Sequence, residues 1–187
     1  MRLRGFVLPF FLFFTSAVHS SATARPPLSA QALDEARASG RPVALLVSRR
    51  ACPRCSSLET ALLTDPQVVA VLDGRFASLS VDADERADVA GALADSLLIL
   101  PSPRPAADPG LPFLMLVTPD LRPLDGTSLV RDGQPLPVSS VLSFLVRLAD
   151  VWEADRSALE VRGGLVLAAL REAQELGPPL PALSVSL

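Results

Sequence analysis

The sequence predicts an α/β domain with a central mixed four-stranded sheet flanked by helices. Three observations predict it. Two short apolar runs read as strands: "PVALLVS" (42–48) has the pattern of a strand buried on both faces, and "PFLMLVT" (112–118) is a later, proline-led strand. Segments around them repeat their apolar residues at helical spacing. The chain's only two cysteines, Cys52 and Cys55, open the helical segment that follows the first apolar run.

Residues 28–42 begin the order as a helix: Ser29 is placed to cap it, Ala32, Leu33 and Ala36 share one side, and Gly40 stops it. After the first strand, the spacing of Leu58, Ala61 and Leu62 is helical from Cys52 to Leu63. In "TDPQVVAVLDG", Asp65 reads as a cap, Pro66 as the first helical residue and Gly74 as terminator of a second short helix. "RFASLSV" alternates Phe76, Ser78 and Ser80 against Ala77, Leu79 and Val81, which reads as a strand. "DADERADVAGALADSLLIL" reads as a helix opened by acids, which suit its positive N-terminal end. Pro101, Pro103, Pro105 and Pro109 crowd a loop before the proline-led strand at 112–118. "TPDLRPLDG" is then a turn followed by a fourth, edge strand. In the last quarter Val138, Val141, Leu142, Leu145, Leu148 and Trp152 repeat at helix spacing, and 159–170 continues apolar. Trp152 reads as core on that spacing. Gly163–Gly164 costs a helix roughly 1 kcal/mol per glycine, so a kink or a boundary is expected there. "GPPLPALSVSL" reads as a loose tail. A strand feeding a helix that begins C-x-x-C, with a later strand opened by proline, is the plan of a thioredoxin-like fold, here with extra C-terminal helices.

The first 24 residues read as an address. Arg2 and Arg4 form a basic n-region, residues 5–18 are an apolar run, and "ATA" at 22–24 supplies a small–x–small cleavage pattern. The run is shorter than the ~20 residues that span a bilayer as a helix. The expected organisation is a cleaved signal (1–24), one domain (25–177) and a tail (178–187), with the mature protein secreted or periplasmic and without a stable membrane span. Two of the 17 basic residues and none of the 20 acidic ones lie in the signal, so the mature chain carries a net charge of −5. No basic face for nucleic acid is implied. The single histidine, His19, leaves with the signal. That excludes a Ser–His–Asp triad, a Cys–His protease pair and a His-ligated metal centre in the mature domain.

Three chemistries compete for "RRACPRCSSLE". A disulfide closing so short a loop stabilises by only ~2 kcal/mol in the chain-entropy model, against ~4.7 for a hundred-residue loop, so a structural staple is a poor reading. Zinc wants four ligands and finds one cysteine pair, leaving an intersubunit site or two-coordinate Cu(I) as the metal options. Redox chemistry needs what is present. A cysteine at a helix N-terminus meets unsatisfied N–H groups and the positive end of the dipole, both of which favour thiolate. A second cysteine three residues on can attack a mixed disulfide and release the substrate. Pro53 fits the first helical turn, where its missing N–H costs nothing. Cys52 is therefore expected to be the exposed nucleophile, with a pKa below the free-thiol ~8.5, and Cys55 the half-buried resolver. Arg54, inside the motif, adds a cation that tunes the thiolate; Arg49 and Arg50 are either part of that cluster or solvated. No dissociable cofactor and no metal are expected, the Cys52–Cys55 disulfide being the redox group itself.

"ARASGRPVALLVSRRACPRCSSLE", "DPQVVAVLDGRFASLSVDADERADV", "GLPFLMLVTPDLRPLDGT" and "FLVRLADVWEADRSAL" together resemble the N-terminal thioredoxin-like domain of the spermatogenesis-associated protein 20 and YyaL-type family (domain of unknown function 255). The likeness runs in order from about Leu28 to Glu172. It implies a thioredoxin fold with Cys52 and Cys55 at the active site, and it puts Pro112 where such folds keep a cis-proline facing the thiols, with Leu111 beside it. The family usually reads C-H-W-C and has Trp where this chain has Leu111. Larger members continue into a helical, glycosidase-like barrel with no counterpart in this sequence. Many thioredoxins bury an acid on the strand before the motif, whereas here that strand is wholly apolar, so a proton relay must use water or another group.

The expectation is a secreted or periplasmic thiol–disulfide oxidoreductase. Its partners are protein thiols and disulfides plus a further redox partner, with Cys52 attacking, Cys55 resolving, and Leu111 and Pro112 positioning the substrate backbone. The alternative is a thioredoxin-fold binding module, a Cu(I) or partner-protein carrier with little turnover. "DADERAD" lacks the glycine and glutamate of a calcium loop, having Ala87 and Leu93 at those positions, so its acids are read as helix caps.

Overall fold

The computed structural model describes residues 25–100 and 110–176. The expected signal segment (1–24), the proline-rich loop at 101–109 and the expected tail (178–187) lie outside the described residues. The elements run α1 (Ala30–Ser39), β1 (Val43–Ser48), α2 (Pro53–Thr64), α3 (Pro66–Arg75), β2 (Ala77–Asp82), α4 (Ala87–Ile99), β3 (Phe113–Val117), β4 (Pro123–Ser128), β5 (Val130–Arg131), β6 (Gln134–Pro135), α5 (Val138–Ala154) and α6 (Arg156–Leu176).

Four strands form one mixed sheet in the order β2-β1-β3-β4. β1 runs parallel to β2, with Leu45 opposite Leu79, and antiparallel to β3, with Leu45 opposite Met115. β3 and β4 are antiparallel. This is the thioredoxin-like arrangement the sequence predicts, and β1, placed inside the sheet, explains its unbroken apolar run. Ala44 and Leu46 face one layer with residues of α2, α3 and α5. Val43, Leu45 and Val47 face the other, with residues of α1, α4 and α6. Alternate side chains of one strand thus enter two separate cores.

Helix boundaries follow local chemistry. Ser29 accepts the Ala32 N–H at 3.2 Å and caps α1, which ends at Gly40. Asp65 accepts from the N–H groups of Gln67 and Val68 at 2.9 and 3.0 Å, ahead of Pro66 at the first position of α3. Trp152 is core, donating its indole N–H to the Gly40 carbonyl at 3.1 Å under the Arg156 guanidinium.

Three expectations need correction. α3 continues through Gly74 to Arg75, because nothing there forces the chain to leave the helix. Of the kink or boundary expected at Gly163–Gly164, the boundary is absent: α6 is one helix from Arg156 to Leu176. A Cβ on Gly163 would stand 2.9 Å from the Pro123 carbonyl oxygen, so the glycine lets α6 approach the backbone of β4 closely. α4 begins at Ala87 with no side-chain cap. Asp82 closes β2 instead, and of the acids only Asp88 lies in the helix's first turn. The β5–β6 hairpin was not foreseen, although "RDGQ" carries an Asp-Gly turn signal. Residues 26–28 also add to the outer edge of β2, with Ser80 N–H donating to Pro26 O at 2.8 Å and Leu28 N–H to Ser80 O at 2.9 Å. That cover removes an exposed sheet edge.

Candidate redox site

β1 delivers the chain to the motif. Its last residue, Ser48, stands opposite Asp82 in the parallel register, and the Ala83 N–H donates to the Ser48 carbonyl at 2.7 Å. A turn follows, closed by Cys52 N–H donating to Arg49 O at 3.2 Å, and α2 begins at Pro53. Cys52 is the N-cap residue of α2. Its Sγ accepts the Cys55 N–H at 3.1 Å, one of the donors a helix start leaves without an intrahelical partner. The two cysteines are joined as a disulfide, S–S 2.08 Å, with their Cα atoms 5.2 Å apart.

The two sulfurs differ in access. Cys52 is partly exposed, whereas Cys55 is 0 % exposed, more deeply buried than the half-buried position its spacing suggested. Pro53 and Arg54 are both exposed on the first turn. The Arg54 guanidinium donates to the Gly133 carbonyl at the tip of the β5–β6 hairpin, so its charge is held toward that hairpin. Arg49 and Arg50 turn to the β2–α4 connection. Arg49 pairs with Asp84 at 2.9 Å, and Arg50 with Asp82 at 3.2 Å and Glu85 at 2.7 Å. Three acids expected as helix caps are therefore counterions that fasten the turn before Cys52. Sequence order conceals this pairing; the parallel β1–β2 register produces it.

The β3 end of the sheet completes the site. Phe113 stands opposite Val47, which places Pro112 beside the exit of β1 toward the motif. The Leu111–Pro112 peptide bond is cis. Pro112 is buried and Leu111 half-buried against the core layer that contains Phe113. The Pro112 carbonyl accepts the Leu129 N–H at 3.0 Å, fixing the root of the hairpin to this same corner. No acid lies on β1. One turn beyond Cys55 on α2, Glu59 lines a cleft of about 320 Å³ that Ser56, Arg49, Arg50 and Asp82 also border. Among the described residues no group of three or more His, Cys, Asp or Glu side chains is placed to hold a metal ion. No helix among them is long and apolar enough to cross a membrane.

A C-x-x-C disulfide at the tip of the helix leaving the central strand, on a β2-β1-β3-β4 sheet with a cis-proline before β3, defines a thioredoxin-like domain with a thiol–disulfide oxidoreductase-like pair. The family model Thioredox_DsbH, described as a protein of unknown function, DUF255, matches residues 18–171, and the chain belongs to that family. Spermatogenesis-associated protein 20 of Rattus norvegicus is 25% identical over 150 residues, covering 80% of this chain and 18% of that protein. The chain thus spans less than a fifth of that relative's length. Two solved structures are similar, each with a TM-score of 0.49. A disulphide isomerase from Xylella fastidiosa Temecula1 is 16% identical, covering 63% of this chain and 86% of its own. A thioredoxin from Thermus thermophilus is 23% identical, covering 69% and 89%.

Proposed function

We propose that the protein is a secreted or periplasmic thiol–disulfide oxidoreductase acting on cysteines of other proteins. The observation that carries this reading is the asymmetry of the pair: Cys52 is partly exposed at the α2 N-terminus with its sulfur on the Cys55 N–H, and Cys55 is buried behind it. In the reduced form a Cys52 thiolate keeps that N–H and the positive end of the helix as stabilising partners. The thiolate attacks one sulfur of a substrate disulfide. A Cys52–substrate mixed disulfide forms, and the second substrate cysteine leaves as a thiolate. Cys55, deprotonated, then attacks Cys52 Sγ, releasing the first substrate cysteine as thiolate and restoring the Cys52–Cys55 disulfide. Two electrons pass to the substrate, and the reverse sequence oxidises a dithiol. Leu111 and Pro112, at the exit of β1, position the substrate backbone. Export is supported by the basic start, apolar run and small-residue cleavage pattern of residues 1–24.

Insulin-disulfide reduction and dithiol oxidation test this reading with the wild type and Cys52→Ser. Wild type turns over in at least one direction, and Cys52→Ser loses that activity to background. Equal rates for the two proteins would refute it, and a one-to-one Cu(I) complex without exchange would establish the carrier alternative. The N-terminal sequence of exported protein is expected to begin at Arg25.

A further inference from the structure

The β5–β6 hairpin is built with more fixings than a connection requires. Its strands are two residues each, a length that is not stable by itself in water. Asp132 and Gly133 both have positive φ, 50° and 72°, the two-residue turn that matches strand twist. The anchors supplying the missing stability both sit at the redox site. At the root, Leu129 N–H donates to the carbonyl of cis-Pro112, and Leu136 N–H donates to Leu129 O at 2.8 Å. At the tip, Arg54 from between the two cysteines donates to the Gly133 carbonyl. The hairpin therefore reaches from the Pro112 corner to the first turn of α2. Its outer residues Arg131, Asp132, Gln134 and Pro135 remain exposed.

We infer that this hairpin is a specificity wall of the redox site, which holds an extended cysteine-bearing polypeptide segment against Leu111 and Pro112 while Cys52 reacts. The inference rests on the proposed oxidoreductase reading, because a wall matters only if Cys52 meets external sulfur. Arg54 is then a positioning residue: it holds the tip in place, and the substrate contacts belong to the hairpin. A small disulfide needs no such wall, since its reacting sulfur carries little chain to orient. A polypeptide does need it, because orientation of the reacting sulfurs sets the rate of exchange.

The test uses stoichiometric trapping in the full chain. With Cys55→Ser, Cys52 thiolate attacks the peptide-side sulfur of a 2-thiopyridyl-activated cysteine decapeptide. A Cys52–peptide disulfide forms and pyridine-2-thione leaves, its absorbance giving the rate. The same measurement with 2-thiopyridyl-activated cysteamine gives the small-disulfide rate. Replacing residues 130–135 with a Gly-Gly link is expected to lower the peptide-to-cysteamine rate ratio by about tenfold or more, the scale of a lost positioning contact. Arg54→Ala, an exposed single change, should lower the ratio in the same direction by a smaller factor, with Arg54→Lys recovering part of it. An unchanged ratio in Arg54→Ala and in a folded hairpin replacement overturns the inference and leaves the oxidoreductase reading standing. Failure of Cys52 to react with either probe overturns both.

Discussion

Cys52 stands where backbone polarity and access coincide, and this sets what single residues should do. Its sulfur accepts a helix-start N–H and the residue is partly exposed, while Cys55, three residues on, is buried. In the reduced protein the Cys52 thiol is expected to titrate below the ~8.5 of a free cysteine. Thiolate absorbance against pH, read in Cys55→Ser so that only one sulfur contributes, checks this; a midpoint at or above that value contradicts it. The cysteine pair was legible from sequence because spacing alone places both sulfurs at one helix tip. The partners of the arginines were not, because Arg49 and Arg50 find Asp82, Asp84 and Glu85 only through the parallel pairing of two strands. The arginine sides of these pairs are half-exposed or exposed, so each pair is worth little individually in stability and its contribution is to hold the turn in place.

At the scale of elements, two glycines in helices make opposite predictions. Gly91 lies within α4 with no atom within 4 Å of where a Cβ would stand, whereas the same atom on Gly163 of α6 would sit 2.9 Å from Pro123 O. Gly91→Ala is expected to raise stability by roughly 1 kcal/mol, the helix-propensity difference. Gly163→Ala is expected to lower it, since backbone cannot yield as a flexible side chain does; thermal unfolding of both variants decides. The turn between α5 and α6 adds a pH dependence. The Ala158 N–H and then the Ser157 hydroxyl hold the Asp155 carboxyl below its usual range. A carboxylate lowered on folding contributes stability above its unfolded value of about 3.9, and that contribution is lost as pH falls through the folded value. The Tm of Asp155→Ala should therefore lie below wild type at neutral pH and converge on it in acid; a gap that stays constant contradicts the assignment. Sequence revealed the helices by period and caps. The continuity of α6 was hidden because propensity counts the cost of Gly163–Gly164 but not the close packing that offsets it.

For the whole molecule, the thioredoxin-like fold class was legible because a buried strand, a cysteine motif and a proline-led strand occur in that sequence order, whereas the order β2-β1-β3-β4 comes from the strand pairing. The hairpin was missed because its Asp-Gly signal joins strands too short to show an alternating pattern. Folded, the hairpin joins the Pro112 corner to Arg54 between the two cysteines, and Cys52 is partly exposed while Cys55 is buried; on the proposed reading this asymmetry distinguishes a redox couple from a staple. The most direct measurement is the reduction potential of the Cys52–Cys55 pair in the folded protein, by equilibration in glutathione buffers and alkylation of the free thiols. A value between about −270 and −120 mV, the range of thiol–disulfide oxidoreductases, is expected, while a value below about −300 mV, typical of structural disulfides, would contradict the redox reading.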